Sequence, residues 1–174
     1  MSAAEAIAGV DPQLFKSCMR SVTGAVVVIT CGEEGHRTGL TATAVCSLTD
    51  SPPMLLVCVN ANASAHPVIR RTGRFVVNVL NDTHGHLASR FAGRAGLEGE
   101  ERFAGVEWMR LATGAPVLAE AAANFDCALE AEHHYGTHSI FIGRVLGAAS
   151  RDEGAPLLYR GGRFGTFREP LALP

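Results

Sequence analysis

The segment GLTATAVCSLTDSPPMLLVCVNANASAH, residues 39–66, carries the strongest structural signal in this chain. Two runs of strand-forming residues, 40–45 and 54–59, flank a hydroxyl-rich turn that Pro52 and Pro53 close. A second turn of small polar residues, 60–64, follows. Small and hydroxyl side chains let a flat ligand approach the backbone and offer hydrogen bonds to a phosphate. The segment therefore predicts strands bordered by turns that can hold such a ligand.

Outward from this segment, short strands and short helices alternate along the chain. Helices are predicted after Asp11-Pro12 and at 64–71 from early prolines, and at 83–91 from apolar residues on one side. Further strands are predicted at 25–31, 37–45, 74–80, 124–132, 139–149, 156–159 and 163–167. Residues 133–138 are predicted to turn between two of these strands. In the strand 124–132, alternation places Asp126 on the polar face, opposite Cys127.

These elements predict a mainly β fold with short helices (α+β), containing seven or eight strands and three helices. Several neighbouring strands are joined by short turns, which favours antiparallel pairing. A closed or partly closed barrel fits best, because closure removes exposed strand edges. The chain shows no internal repeat and no interdomain linker, so a single domain over residues 1–174 is expected.

Composition excludes several classes of protein. The chain of 174 residues is 47% hydrophobic and 18% charged, which argues against disorder. A net charge of −2 provides no electrostatic attraction to nucleic acid. There is neither a secretory signal pattern nor an apolar run of about 20 residues, so a cytoplasmic protein without a membrane span is expected. Cys46, Cys58 and Cys127 lie in apolar contexts and are expected to be buried thiols.

The common catalytic motifs are missing. Glycines 161, 162 and 165 follow a predicted strand but open no helix, so they do not form a dinucleotide fingerprint. No phosphate-binding P-loop, serine hydrolase elbow or zinc protease motif occurs. His133, His134 and His138 are close in sequence without a metal-ligand spacing, so no metal site is predicted.

An ordered set of motifs resembles the short-chain flavin reductases, the reductase partners of two-component monooxygenases. The set begins with Gly-Leu-Thr-Ala-x-Ala-x-Cys-Ser-x-Thr-Asp-x-Pro-Pro from Gly39 and continues with Asn-Ala-Ser-Ala-His-Pro from Asn62. It ends with Gly-Thr-His-Ser-Ile-Phe-Ile-Gly from Gly136 and the Gly-Arg-Phe of 162–164. The resemblance covers roughly residues 13–167. Where many members have serine and a bulky aromatic residue, this chain has Ala44 and Val45.

The resemblance implies an FMN-binding split β-barrel, a Greek-key-like antiparallel barrel, in a homodimer with FMN or FAD near the subunit interface. It implies hydride transfer from NADH or NADPH to the flavin, which a partner monooxygenase then uses. The flavin contacts that it implies are Thr41, Ala42, Thr43, Ala44, Cys46, Ser47, Leu48, Thr49, Asn62, Ala63, Ser64, Ala65, His66, Arg74, Phe91, His138, Arg163 and Phe164.

Individual roles follow from the same resemblance. Thr41 and Thr43 are expected to face the isoalloxazine ring, and Phe91 to pack near it. Ser47, Thr49, Ser64 and Arg74 are expected to serve the ribityl chain and phosphate. His138 is expected to position the nicotinamide, bordered by Arg163 and Phe164.

Other functions remain open from the sequence. The same barrel carries corrinoid-cobalt reductases and pyridoxamine-phosphate-type oxidases. A flavin-binding protein without catalytic activity and a purely structural barrel are further alternatives. The residues do not separate FMN from FAD or NADH from NADPH, because no residue for the nucleotide ribose can be assigned outside a dinucleotide-binding fold.

Overall fold

The computed structural model describes residues 9–151 and 154–167, which are mostly antiparallel strands. The α-helices are α1 (Pro12–Met19), α2 (Ala65–Thr72) and α3 (Gly85–Phe91), with two short 3₁₀ helices at Asp82–His84 and Gly99–Phe103. The strands are β1 (Gly24–Ala25), β2 (Val27–Cys31), β3 (Thr38–Ala42), β4 (Val45–Asp50), β5 (Pro53–Asn60), β6 (Arg74–Val79), β7 (Trp108–Arg110), β8 (Pro116–Leu118), β9 (Ala123–Tyr135), β10 (His138–Ser150), β11 (Leu157–Arg160) and β12 (Arg163–Thr166). Among the described residues, none of the helices has the length and hydropathy that crossing a membrane requires.

The main sheet has seven strands in the order β3-β2-β6-β9-β10-β5-β4, all paired antiparallel. Its two outermost strands, β3 and β4, are joined by only Thr43 and Ala44. Three Cα-to-Cα steps span at most about 11 Å, so the two outer strands must lie close together. The sheet is therefore rolled into a barrel, and residues 43–44 lie at its seam, the place where the outer strands meet. The predicted antiparallel barrel is confirmed.

Strand β2 separates two hydrophobic cores. Val27 and Ile29 point into the barrel, where they pack with Phe75 and Phe141. Val28, on the opposite face of β2, packs in a second core beneath α3. The apolar run at 25–31 is continuous because both faces of this strand are buried.

Two predicted turns are wrong in extent. The hydroxyl-rich segment after residue 45 was expected to be a turn, but it forms β4 and pairs with β5. Leu48 and the β-branched Thr49 are compatible with an extended strand once β5 is available as a partner. Likewise, 133–138 is not a six-residue turn, because β9 and β10 continue until only Gly136 and Thr137 separate them. Gly136 has a φ of 57°, as a two-residue hairpin turn requires.

The structure also differs from the predictions in the burial of some residues and in the number of strands. Asp126 is fully buried rather than on a polar face, and its carboxylate accepts hydrogen bonds from the Thr113 backbone and hydroxyl. Cys46 is exposed in the single chain and Cys58 is only partly buried, whereas Cys127 is buried as expected. The described residues form twelve strands rather than seven or eight. Helix α2 is confirmed, with Gly73 in the left-handed conformation just after it.

Candidate functional site

Three adjoining cavities follow the seam of the barrel. The first, the turn cavity, has a volume of ≈ 470 Å³ and lies between β3, the 60–64 turn and α3. The second, the seam cavity, has a volume of ≈ 240 Å³ and shares Thr41 and Ala92 with the first. The third, the helix cavity, has a volume of ≈ 780 Å³ beside α1 and shares Thr43 and Tyr159 with the second. Together they form one surface groove, the seam groove.

Local hydrogen bonds hold the 60–64 turn at one end of the groove. The Asn60 side chain accepts from the Asn62 N–H at 2.8 Å, and the Asn60 carbonyl accepts from the Ala63 N–H at 3.0 Å. Ser64 and Thr38 share a hydrogen bond between their hydroxyls at 2.8 Å. The turn is therefore ordered without any ligand contact, and Asn62, Ala63 and Ser64 line the turn cavity.

Strand β3 and the residue after it provide the middle of the groove. Thr41 lines both the turn cavity and the seam cavity, and its hydroxyl donates to the Ala88 carbonyl of α3 at 2.7 Å. Ala42 and Thr43 line the seam cavity, while Ala44 lines the helix cavity. The hydroxyl proton of Thr41 is thus used within the protein, and its oxygen can still accept a hydrogen bond from a ligand.

Aromatic side chains form parts of the groove wall. Phe91 is buried, lines the turn cavity and packs edge to face with Phe103, their ring centroids lying 5.2 Å apart. Phe164 lines the seam cavity with Tyr159, at a centroid separation of 5.6 Å. Such faces are suited to packing against a flat ring.

Arg102 is a cation of the turn cavity that the sequence analysis did not assign. Its Nε donates to the Leu97 carbonyl at 2.8 Å and its Nη1 to the Gly39 carbonyl at 3.1 Å. These bonds fix the guanidinium beside the turn, and Nη2 has no hydrogen-bond partner among the described residues. The approach of Arg102 to β3 depends on how the loop before it folds, because 63 residues separate it from Gly39.

An ion pair holds the loop that carries Arg102. Arg37 donates to Glu100 from both its side chain and its backbone, and its guanidinium lies 4.7 Å from the centre of the Phe103 ring. The hydrogen bond from the Arg37 side chain is the main cause that lowers the pKa of Glu100 below its ordinary value of 4.5. The pair therefore stabilises the loop at neutral pH.

This ion pair gives a pH prediction. Folding lowers the pKa of Glu100. The ionised Glu100 therefore stabilises the folded protein at pH values above the pKa of the unfolded chain, and this stabilisation is lost as the pH falls through the folded pKa. We expect Glu100→Gln to loosen the loop already at neutral pH. Fluorescence of Trp108, the only tryptophan, measures this loosening. Its indole N–H donates to the carbonyl of Phe103 at 2.8 Å, so movement of the loop changes the surroundings of the indole.

The control is Glu34→Gln, which removes an exposed ion pair to Arg110. Its fluorescence between pH 7 and pH 4 should follow that of the wild type. Identical neutral-pH spectra of Glu100→Gln and the wild type would contradict the prediction.

The structure places other expected contacts outside the seam groove. Ser47 and Thr49 line a separate cavity of ≈ 470 Å³ with apolar residues of β5, β9 and β10. Cys46 and Leu48 are exposed, because alternation along β4 turns them away from that cavity. Arg74 donates to the Thr113 carbonyl and to Glu33.

Four further residues also lie away from the cavity walls. Ala65 and His66 are buried behind the 60–64 turn. His138 is exposed at the start of β10, opposite Asn60 of β5, and its Nδ1 lies 2.9 Å from the Thr137 hydroxyl. Arg163 is exposed on β12.

Comparisons with known proteins agree on one family. A family model described as a flavin reductase like domain matches residues 19–168. The chain is 43% identical to the FMN reductase (NADH) RutF 2 of Methylorubrum extorquens strain PA1, over 92% of each chain. It is 38% identical to the FMN reductase (NADH) RutF of Pantoea ananatis strain LMG 20103, over 99% of this chain and 90% of that protein.

Solved structures show the same similarity. BorF, the flavin reductase component of a bacterial two-component tryptophan halogenase, superposes with a TM-score of 0.83 at 34% identity, over 92% of this chain and all of BorF. The NADH:FAD oxidoreductase SgcE6 of Streptomyces globisporus has a TM-score of 0.82 at 30% identity, over 97% of this chain and all of SgcE6. A further SgcE6 structure contains fragments of NAD and FAD. The mostly antiparallel sheet with three short helices is thus of the split-barrel type.

Proposed function

This chain belongs to the flavin reductase family, and we propose that it is an NADH-dependent FMN reductase that supplies reduced flavin to a partner monooxygenase. The observation that carries the proposal is the seam groove, whose wall of small and hydroxyl-bearing residues includes Arg102 in the turn cavity and the rings of Tyr159 and Phe164 in the seam cavity. The groups of FMN follow one another in a matching order: a phosphate, a polyhydroxyl chain and a flat ring. FMN and NADH are chosen because the curated relatives carry both in their names.

The turn cavity suits the phosphate end of FMN. Arg102, Asn62 and Ser64 offer a guanidinium, an amide and a hydroxyl around one space. Helix α2 begins beside this space, and its N-cap residue Ser64 makes no side-chain hydrogen bond to the helix. We propose that these side-chain groups hold the phosphate.

The seam cavity suits the flavin ring. Ala42 and Thr43 leave room for a flat ring to approach the backbone, and Phe164 and Tyr159 supply aromatic faces. Bound FMN would supply the chemistry by accepting a hydride from the nicotinamide. The protein then needs to orient two rings at reacting distance, and it does not need a nucleophile or an acid–base pair.

NADH oxidation at 340 nm tests the proposal. We expect turnover that depends on added FMN, slower turnover with FAD, and a preference for NADH over NADPH. A protein that retains flavin through dialysis but does not oxidise NADH would instead be a flavin-binding module. Absence of both turnover and flavin binding would contradict the proposed function.

Arg102→Ala tests the phosphate site. Loss of a charge-assisted hydrogen bond costs about 1.5–3 kcal/mol, so the dissociation constant for FMN should rise roughly tenfold to a hundredfold. Riboflavin, which lacks the phosphate, should bind the variant and the wild type equally. The control is Arg110→Ala, an exposed arginine that lies outside the seam groove and pairs with Glu34. If Arg102→Ala lost as much affinity for riboflavin as for FMN, Arg102 would contact a part of the flavin other than the phosphate.

We also propose a homodimer. Large apolar side chains are exposed on α1, β4 and β10, including Phe15, Leu48 and Leu146. The apolar cavity that Ser47 and Thr49 line lies beside Leu146, so contact with a second copy would bring these predicted flavin contacts into an interface. Sedimentation should give about twice the chain mass of 18.3 kDa.

Other expectations from the sequence stay predictions. They include the role of His138 toward the nicotinamide, the packing of Phe91 near the flavin ring and the roles of Ser47, Thr49, Arg74 and Arg163. The single domain over residues 1–174 and the cytoplasmic location are predictions as well. His138 lies opposite Asn60, close to the 60–64 turn, and this position supports a role near the bound nucleotides. The other barrel functions gain no specific support from the seam groove.

A further inference from the structure

A polar cluster lies directly behind the 60–64 turn, outside the seam groove. It consists of His66 and Arg70 from α2, Glu132 from β9 and Ser139 from β10, and we name it the α2 anchor. The Ser139 side chain is fully buried and His66 is 8% exposed. Nothing in the proposed hydride transfer uses these four side chains.

The hydrogen bonds of the α2 anchor have a defined direction. The Ser139 hydroxyl donates to Glu132 Oε1 at 2.8 Å. A serine hydroxyl carries one proton, so His66 Nε2, at 2.9 Å from the same oxygen, must be the donor toward Ser139. Arg70 Nε lies 2.9 Å from Glu132 Oε2, the second carboxylate oxygen. The carboxylate of Glu132 therefore connects to both α2 residues.

The geometry ties the start of α2 to the β9–β10 hairpin. Residues 66 and 70 are four apart, so their side chains lie on one face of the helix, one turn apart. His66 also packs against Phe141 of β10, with ring centroids 5.1 Å apart. The backbone N–H of His66 donates to the Ala63 carbonyl at 2.9 Å and so completes the 60–64 turn. Movement of His66 would therefore move the residues that line the turn cavity.

The α2 anchor is not a hydrolytic triad, although it contains serine, histidine and a carboxylate. A nucleophilic serine is accessible and gives its proton to the histidine. Here Ser139 is fully buried and gives its proton to Glu132. The cluster can hold structure in place but cannot reach a substrate.

We propose that the α2 anchor positions the 60–64 turn for flavin binding, and that His66 acts through this turn without touching the flavin. The inference rests on the proposed function, because it assumes that the turn cavity holds part of FMN. Ser139 and Glu132 are then positioning residues for a site on the other side of the turn.

The experiment compares Ser139→Ala and Glu132→Gln with the control Glu130→Gln. Glu130 lies two residues from Glu132 on the same strand and pairs with the exposed Arg144. For each purified variant, NADH oxidation is measured against FMN concentration. Hydrogen exchange of the 60–66 amides is measured without flavin, and the melting temperature is recorded.

For Ser139→Ala and Glu132→Gln we expect the KM for FMN to rise about tenfold, as for the loss of one buried hydrogen bond. The turnover number at saturating FMN should stay within about twofold, because the reacting groups are unchanged. The 60–66 amides should exchange faster, while Glu130→Gln should match the wild type in every measurement.

Three results would overturn the inference while leaving the proposed function in place. A lower melting temperature with unchanged FMN KM and unchanged 60–66 exchange would show a purely structural role. A loss of turnover number at unchanged KM would show a direct role in the reaction. If the wild type itself neither binds FMN nor oxidises NADH, the proposed function falls and this inference falls with it. If the wild type oxidises NADH with FMN but the variants match it in the KM for FMN and in 60–66 exchange, only this inference is wrong.

Discussion

Replacing Gly39 with alanine is expected to raise the dissociation constant for FMN at least tenfold and to lower the free energy of unfolding. A Cβ at this position would lie 2.5 Å from the Ile29 carbonyl oxygen and 3.0 Å from the Phe91 ring. The carbonyl belongs to the neighbouring strand β2, and Phe91 lines the turn cavity, so β3 must shift away from both. Such overpacking costs about 1–3 kcal/mol of stability.

Gly165→Ala is the matched control for Gly39→Ala. Gly165 also lies in a strand without a positive φ, and a Cβ there would have no neighbour within 4 Å. Its FMN affinity and urea midpoint should stay close to those of the wild type. If Gly39→Ala binds FMN as the control does, the turn cavity is not part of the flavin site. Urea unfolding of both variants separates lost affinity from lost folding.

Replacing Asn78 with leucine is expected to destabilise the protein by about 3 kcal/mol or more, since each unsatisfied buried polar group costs about 1–3 kcal/mol. Asn78 is fully buried in β6. Its amide nitrogen donates to the Val28 carbonyl at 2.9 Å and to the Thr30 hydroxyl at 3.0 Å. Its carbonyl accepts from the Leu118 N–H at 2.8 Å and from the Asn124 amide at 3.0 Å.

A double-mutant comparison tests this network. Asn124→Leu should destabilise less, because the Leu118 N–H keeps its acceptor on Asn78. The double variant should lose less than the sum of both single effects, since the two amides bond each other. Urea midpoints and slopes give the three free energies. If Asn78→Leu lowered the free energy of unfolding by less than about 1 kcal/mol, the hydrogen-bond network would not contribute the stability predicted here.

The sequence by itself determined the class of fold and marked the short segment from which much of the groove wall comes. Antiparallel pairing followed from short turns, and the run at 25–31 was recognisable because a strand buried on both faces needs no alternation. Helix α2 was predictable from its early proline and from Gly73, which are local signals. Thr41, Asn62 and Ser64 lie in the one short segment where small and hydroxyl side chains cluster, and all three line the turn cavity.

Only the tertiary structure decided which distant side chains meet. Arg102 reaches the Gly39 carbonyl across 63 residues of sequence, and no local pattern encodes that contact. The family resemblance groups Ser47 and Thr49 with the flavin contacts, whereas pairing with β5 turns them toward a separate apolar cavity. Periodicity determines which residues share a face of a strand or helix, whereas the packing of whole elements determines what that face contacts. For the same reason, His66 follows the binding turn in sequence but lies buried behind it, against Ser139.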